Sequence, residues 1–154
     1  MISKKMLHIK KLEKKQLNLY EKEIEEAFAI RKKVFIEEQG VSEEDECDGL
    51  DSNSTQYIAY LDGSAVATAR VQYVASSAKI QRVAVLKEFR SIGIGKKLML
   101  QILEDIKDVN KIVLSAQLQV IDFYEKLGFI PHGDKYHDAG ILHRDMTKHV
   151  SENT

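Results

Sequence analysis

Residues 82–98 read RVAVLKEFRSIGIGKKL. The apolar run at their start predicts a β-strand, and Gly93 and Gly95 predict a turn into a helix after it. The first backbone N–H groups of a helix lack partners within it, and the helix dipole adds partial positive charge there. Glycines let a ligand approach the backbone closely, and Arg90 and Lys96 add full charges nearby. The segment therefore predicts an anion site suited to a pyrophosphate.

Two other phosphate-binding patterns do not fit this segment. A P-loop needs Gly-x-x-x-x-Gly-Lys followed by Ser or Thr, but Lys97 stands at the last position and Arg90 replaces the upstream glycine. A dinucleotide fingerprint needs a third glycine three residues after the second, where this chain has Leu98. The alternative without a ligand is an ordinary strand-to-helix turn with two permissive glycines.

Residues 123–129 form a second motif, Phe-Tyr-x-x-x-Gly-Phe. Together with the Arg-x-x-Gly-x-Gly pattern that begins at Arg90, it resembles the two signatures of the GNAT superfamily of N-acetyltransferases, in their usual order and at their usual distance. The resemblance covers residues 56–148, and residues 30–39 are similar to a small bacterial branch. It implies acetyl-CoA as cosubstrate. The residues that it assigns to the phosphates are Arg90, Ser91, Gly93, Gly95 and Lys96.

Composition favours one globular domain over residues 1–154. The chain has 44% hydrophobic residues, which is enough for a substantial core. A net charge of −1 gives no overall attraction to nucleic acid or to anionic membranes. Cys47 is the sole cysteine, and no secretory leader or membrane-length apolar run is visible, so we expect a cytoplasmic protein. The carboxylates around Cys47 disfavour a nucleophilic thiolate, and the histidines lack zinc-motif spacing, so we expect no metal.

Periodicity predicts an α/β fold. The predicted strands are 7–9, 57–61, 65–74, 79–85, 111–115, one that starts at Phe129, and 141–147; the predicted helices are 17–35, 94–106 and 120–127. The hairpin around Asp62-Gly63 implies antiparallel pairing, whereas the strand-helix-strand unit 79–115 implies a parallel pair. We therefore expect a mixed, mostly antiparallel sheet flanked by helices. The resemblance implies that the parallel pair splays apart to admit the pantetheine arm.

Acetyl transfer to an amine needs a neutral amine, a polarised carbonyl and a stabilised thiolate. The resemblance implies that Tyr124 is the acid that donates to the departing sulfur, and it assigns the backbone of Val83 and Val85 to pantetheine and the thioester carbonyl. Gln117 stands where the family often has asparagine, and its amide can still bind pantetheine. The alternatives are a packing role for Tyr124, core packing for the two valine side chains and a solvent-facing turn for Gln117.

The acceptor side is expected to include residues 31–39, by resemblance. Glu38 is the predicted general base, with Glu37 and His143 as alternatives. Arg31 either binds an acidic acceptor or pairs with a nearby carboxylate. The acidic residues 43–48 either favour a cationic acceptor or form a solvated loop.

The leading function is direct transfer of an acetyl group from acetyl-CoA to a primary amine of a small molecule or peptide. A non-catalytic acyl-CoA sensor on the same fold is the first alternative, and a nucleotide-phosphate binder is the second. Nucleic acid and membranes are not expected partners, and the resemblance allows a homodimer. The sequence leaves open the acceptor, the acyl chain and the oligomeric state.

Overall fold

The computed structural model describes residues 6–150. The strands are β1 (Leu7–Leu12), β2 (Thr55–Leu61), β3 (Ser64–Val74), β4 (Ser77–Val85), β5 (Lys111–Gln117), β6 (Ile130–Asp138) and β7 (Ile141–His149). The α-helices are α1 (Glu21–Arg31), α2 (Glu43–Glu46), α3 (Ile94–Asp105) and α4 (Ile121–Glu125). A π-helical segment, Lys32–Glu38, continues α1. Short 3₁₀ turns lie at Lys14–Leu19, Asp51–Asn53, Lys87–Phe89 and Leu118–Val120.

The strands form one sheet of seven in the order β1-β2-β3-β4-β5-β7-β6. Pairing is parallel between β4 and β5 and antiparallel between the other neighbours, which confirms the predicted mixed sheet. The β2–β3 hairpin turns at Asp62 and Gly63, both with positive φ (50° and 85°). Because a two-residue turn of this kind matches the twist of the strands, the Asp-Gly pair sets the register of this hairpin.

The parallel pair comes apart, as the resemblance implies. Ser77–Ile80 pairs with Lys111–Leu114, and β4 and β5 then continue to their ends without pairing with each other. In β4 a bulge sets two residues against one of β3, and Arg82 within it has a φ of 55°. A bulge bends its strand and increases the local twist. The result is a wedge-shaped gap between Val85 and Gln117, bounded by backbone that has no strand partner on that side.

Helices cover the two faces of the sheet unequally. On one face α3 packs across β1, β3 and β4, and α4 packs on β5 and β6. The apolar residues Leu98, Met99 and Ile102 of α3 are fully buried there, each worth roughly 1.5–3 kcal/mol of burial free energy. On the other face α1 contacts β2, β3 and β4. Most of β6 is exposed, so the β5–β7–β6 part of this second face carries accessible polar side chains.

Three helical boundaries differ from the predicted ones. The region predicted as mostly helical over 17–35, with room for a break, divides into a 3₁₀ turn, α1 and the π-helical segment. The predicted loop 41–54 contains α2, which begins because Ser42 Oγ accepts a hydrogen bond from the Asp45 N–H (3.1 Å). The helix predicted over 120–127 has α-helical geometry over Ile121–Glu125. Across residues 6–150, no helix combines the length and the apolar character needed to cross a bilayer.

Candidate functional site

The start of α3 has the geometry expected of an anion site. Ser91 and Gly93 both have positive φ (67° and 87°), and the helix follows directly. The Lys97 N–H donates to Gly93 O at 3.1 Å, and within residues 6–150 the preceding N–H groups of residues 94–96 have no backbone acceptor. Ser91, Gly93 and Lys96 are exposed. Open N–H groups at a helix start, beside exposed lysine, bind anions.

The two sequence motifs meet at this helix start. A Cβ added to Gly95 would lie 3.6 Å from Val85 Cγ2 and 3.7 Å from Phe123 Cζ. The end of β4, the glycine loop and α4 therefore share one corner of the wedge-shaped gap. Val83 and Val85 are half-buried and pack against the main core, so the packing interpretation of their side chains is correct, while the Val85 carbonyl oxygen accepts a hydrogen bond from Arg90 Nε (2.9 Å).

Tyr124 follows Phe123 on α4 and is 7% exposed. Its ring packs edge-to-face against Phe123 and Phe129, with centroids 5.1 and 6.0 Å apart. Burial raises the pKa of Tyr124 well above its ordinary value, so the phenol stays protonated at physiological pH. Its hydroxyl makes no hydrogen bond to any residue of the described range 6–150, and so it is free to donate to a ligand.

Arg90 and Glu38, predicted for opposite sides of the reaction, bind each other. Arg90 Nη1 and Nη2 donate to the two carboxylate oxygens of Glu38 at 2.5 and 2.7 Å, and Arg90 Nε donates to Val85 O at 2.9 Å. The hydrogen bond from Arg90 lowers the pKa of Glu38. While this pair is intact, Glu38 is a poor proton acceptor, so its predicted role as base requires the pair to open. Glu37 is exposed.

Gln117 lies at the other side of the gap, half-buried at the end of β5. Its Nε2 donates to Gln39 Oε1 at 2.8 Å, and Gln39 Nε2 donates back to Gln117 Oε1 at 3.3 Å. Gln119 Nε2 also donates to Gln117 Oε1, at 2.6 Å. Gln117 is therefore held by neighbouring amides, and the solvent-facing alternative is wrong.

His143 is in register with Gln117 on the neighbouring strand β7. Its Nδ1 lies 2.7 Å from Ile141 O. A carbonyl oxygen only accepts, so Nδ1 carries a proton, and in the neutral ring Nε2 then presents a lone pair. The imidazole stacks on Tyr136 with a centroid distance of 6.1 Å, and Tyr136 donates to Asp145 at 2.6 Å. This packing fixes the ring and leaves Nε2 as a proton acceptor.

A buried charge network that the sequence analysis missed lies under the acidic loop. Arg31 and Arg70 are fully buried. Arg31 binds Glu46 (2.5 Å) and Asp51 (2.6 Å), and Arg70 binds Asp48 (2.6 Å). Arg31 therefore pairs with nearby carboxylates, which is the second of its two predicted roles.

The acidic residues 43–48 thus have a structural use that neither prediction for them included. Arg82 donates to the backbone oxygen of Glu46 and to the Asp48 carboxylate (3.1 and 3.3 Å). Burial opposes ionisation of Asp48, but the hydrogen bonds from Arg70 and the Leu50 N–H, together with the charges of Arg70 and Arg82, outweigh it and lower the pKa of Asp48 to about 2. The signal in the sequence is Arg70 itself, because an arginine within an apolar strand needs carboxylate partners when it is buried.

Comparisons with known proteins identify the family and the fold of this chain. Residues 16–150 match the family described as "Acetyltransferase (GNAT) domain". The chain is 38% identical over 139 residues to the uncharacterized protein YyaT of Bacillus subtilis, covering 86% of this chain and 93% of that one. It is 34% identical over 131 residues to the uncharacterized N-acetyltransferase YjcF of the same organism, covering 83% and 94%. An acyl-CoA N-acyltransferase from Pseudomonas aeruginosa superposes with a TM-score of 0.79 at 26% identity, covering 93% and 99%.

Proposed function

The chain belongs to the GNAT acetyltransferase family, and from that membership we propose that it transfers an acetyl group from acetyl-CoA to a primary amine without a covalent enzyme intermediate. The observation that carries the proposal is the meeting of the open α3 N–H groups, the wedge-shaped gap and the Phe123-Tyr124 pair at one corner. Bound acetyl-CoA supplies an activated acyl thioester. The acceptor is an amine of a small molecule or a peptide.

The helix start fits the phosphates of this cosubstrate. The open N–H groups of residues 94–96 and the exposed Lys96 can contact the same anion, and glycine at position 95 leaves the backbone uncovered. The unpaired edge of β4 near Val83 and Val85 offers main-chain partners to pantetheine amides, and the Gln117 amide offers another across the gap. Besides the three open N–H groups and Lys96, Arg90 provides a second fully charged side chain for the phosphates.

The chemistry requires a C–N bond to form as the C–S bond breaks. Backbone N–H groups on the open edge of β4 stabilise the negative charge that develops on the carbonyl oxygen. Tyr124 donates a hydrogen bond to the departing sulfur. A thiol has an ordinary pKa of about 8.5, below that of this buried phenol, so Tyr124 stabilises the thiolate without giving up its proton, and solvent protonates the sulfur afterwards.

The amine must also lose a proton. His143 Nε2 is the acceptor that the geometry favours, because Ile141 O fixes its tautomer and Gln117, its register partner, marks the end of the gap. Glu38 can take this role after it separates from Arg90. His143 is held by Ile141 O and Glu38 is held by Arg90. Substituting each of the two residues in turn therefore shows which one acts as the base.

The test is release of CoA from acetyl-CoA in the presence of a panel of amines, with diamines, amino sugars, amino acids and short peptides included. Amine-dependent release, with the acetylated amine identified by mass, is the expected result. Saturable acetyl-CoA binding without release across the panel would replace the enzyme by the sensor alternative. Absence of acetyl-CoA binding, with tight ATP or NAD binding, would instead favour a nucleotide-phosphate binder.

A further inference from the structure

Two consecutive residues, Glu38 and Gln39, contact opposite sides of the gap between β4 and β5. Glu38 holds Arg90 beyond the end of β4 with two hydrogen bonds (2.5 and 2.7 Å). Gln39 exchanges amide hydrogen bonds with Gln117 at the end of β5 (2.8 and 3.3 Å). The two contacts bridge the mouth of the gap, and we call the pair Glu38–Gln39 the clasp.

The clasp occupies groups that the proposed function assigns to the cosubstrate, and the inference rests on that function. We infer that Glu38 competes with the CoA pyrophosphate for Arg90, that Gln39 competes with the pantetheine amides for Gln117, and that donor binding opens the clasp. The carboxylate of Glu38 stands in for a phosphate, and the amide of Gln39 stands in for a pantetheine amide.

The competition favours the ligand on electrostatic grounds. The Glu38 and Arg90 side chains are 33% and 37% exposed, and ion pairs this exposed contribute little to stability. A pyrophosphate carries more negative charge than a carboxylate. It also reaches the open N–H groups of residues 94–96, which Glu38 does not satisfy.

The clasp lies where the backbone can rearrange. It ends the π-helical segment, in which the Gln39 N–H donates to Val34 O at 3.1 Å and the Gly40 N–H donates to Ile36 O at 3.1 Å. π-Helical turns are rare and are concentrated at functional sites. Val34 is buried against Ile30 and Ala84, so the start of the segment is anchored and the movement is confined to its end.

Calorimetric titration with CoA tests the inference on three proteins: wild type, E38Q and E37Q. Glu37 is the matched control, because it is the exposed neighbour with the same charge and makes no hydrogen bond to Arg90. We expect E38Q to bind CoA about two- to five-fold more tightly than wild type and E37Q to bind within about 1.5-fold of wild type. Pantetheine, which lacks the phosphates, should bind wild type and E38Q equally, and Q39A should bind it more tightly.

The outcomes separate the clasp from the function beneath it. Equal CoA affinity in all three proteins, an equal gain in E38Q and E37Q, or weaker binding by E38Q overturns the clasp and leaves the proposed function standing. Absence of CoA binding to wild type overturns the proposed function itself. If E38Q does not fold, hydrogen–deuterium exchange of the wild-type protein with and without CoA still tests the clasp. CoA should raise deuterium exchange at the Gln39 and Gly40 amides, and protection there would also overturn the clasp.

Discussion

Phe123 Cζ lies 3.7 Å from the position that a Cβ atom would occupy at Gly95. This contact joins two segments that are distant in the sequence, and it makes the packing of α4 depend on the size of residue 95. Substitution at Gly95 therefore probes the proposed pyrophosphate site at the start of α3 and the position of Tyr124 together.

Gly95→Val should lower the affinity for acetyl-CoA by about 10- to 100-fold, the loss expected for one or two charge-assisted hydrogen bonds. A Cβ at this position fits at ordinary contact distance from Val85 and Phe123, but two further methyl groups press on them and cover the open N–H groups. Calorimetry measures the affinity, and thermal unfolding verifies the fold. Gly95→Ala is the matched control, with near-native stability. Native affinity in a folded Gly95→Val protein would remove the pyrophosphate from this loop.

Tyr124→Phe should reduce kcat by about 100-fold with little change in acetyl-CoA affinity, since it removes one hydrogen-bond donor from the departing sulfur. Stability should stay close to that of wild type, because the ring packing is kept. The raised pKa has a further consequence: the advantage of wild type over the variant persists as the pH rises through 10. Tyr73→Phe, an exposed tyrosine on β3, is the control. Wild-type turnover under chemistry-limited conditions would leave Tyr124 with packing alone.

His143→Gln should lower kcat/KM for the amine most at neutral pH, where little of the amine is unprotonated, and raising the pH should partly restore it. The measurement is kcat/KM for the amine over a series of pH values. His132→Gln is the control, because His132 is a histidine on β6 that binds the Thr147 hydroxyl. Glu38→Gln in the same series identifies the other candidate. If its profile shows the neutral-pH loss and that of His143→Gln does not, the base is Glu38 after release from Arg90.

Stability should fall in acid through Asp48. The folded-state pKa of Asp48, about 2, lies below its ordinary 3.8, so its contribution is complete above pH 4 and is lost as the pH falls from 4 towards 2. Solvent screening limits this contribution to about 1 kcal/mol. Asp48→Asn should remove that part of the pH dependence and destabilise the fold by about 3 kcal/mol at pH 7, because it leaves Arg70 buried with less compensating charge. Urea unfolding of both proteins from pH 7 to 2 measures this. An unchanged acid profile in the variant would assign the effect to other carboxylates.

Local patterns predicted most of the architecture. Asp62-Gly63 encodes its own turn, and the apolar residues of α3 repeat at helical spacing, so both could be predicted without knowledge of distant contacts. The parallel pair followed from the length of the crossover, which has room for a helix. The bulge at Arg82 has no local signal, because its strained φ is held by partners from the acidic loop.

The site was predictable in its parts but not in its connections. Glycines that open a helix have a local physical meaning, so the helix start with its open N–H groups could be predicted. The pairing of Glu38 with Arg90 depends on where the π-helical segment packs, and no periodicity encodes that. The assignment of Glu38 as base therefore missed the cation that faces it. Likewise, Arg70 required partners, but nothing in the sequence specifies which carboxylates reach it.

The splay of β4 from β5 also has a mechanical consequence. Within residues 6–150, no backbone ladder joins β4 and β5 beyond Ile80 and Leu114, so the two halves of the sheet are connected there by side chains such as those of Gln39 and Gln117. An extended ligand with amide groups along its length can form hydrogen bonds with the unpaired backbone of both strands when it lies in the gap. A ligand bound in the gap therefore joins the two halves into one cooperative unit. The melting temperature of the whole protein then rises with the fraction of molecules that hold the ligand.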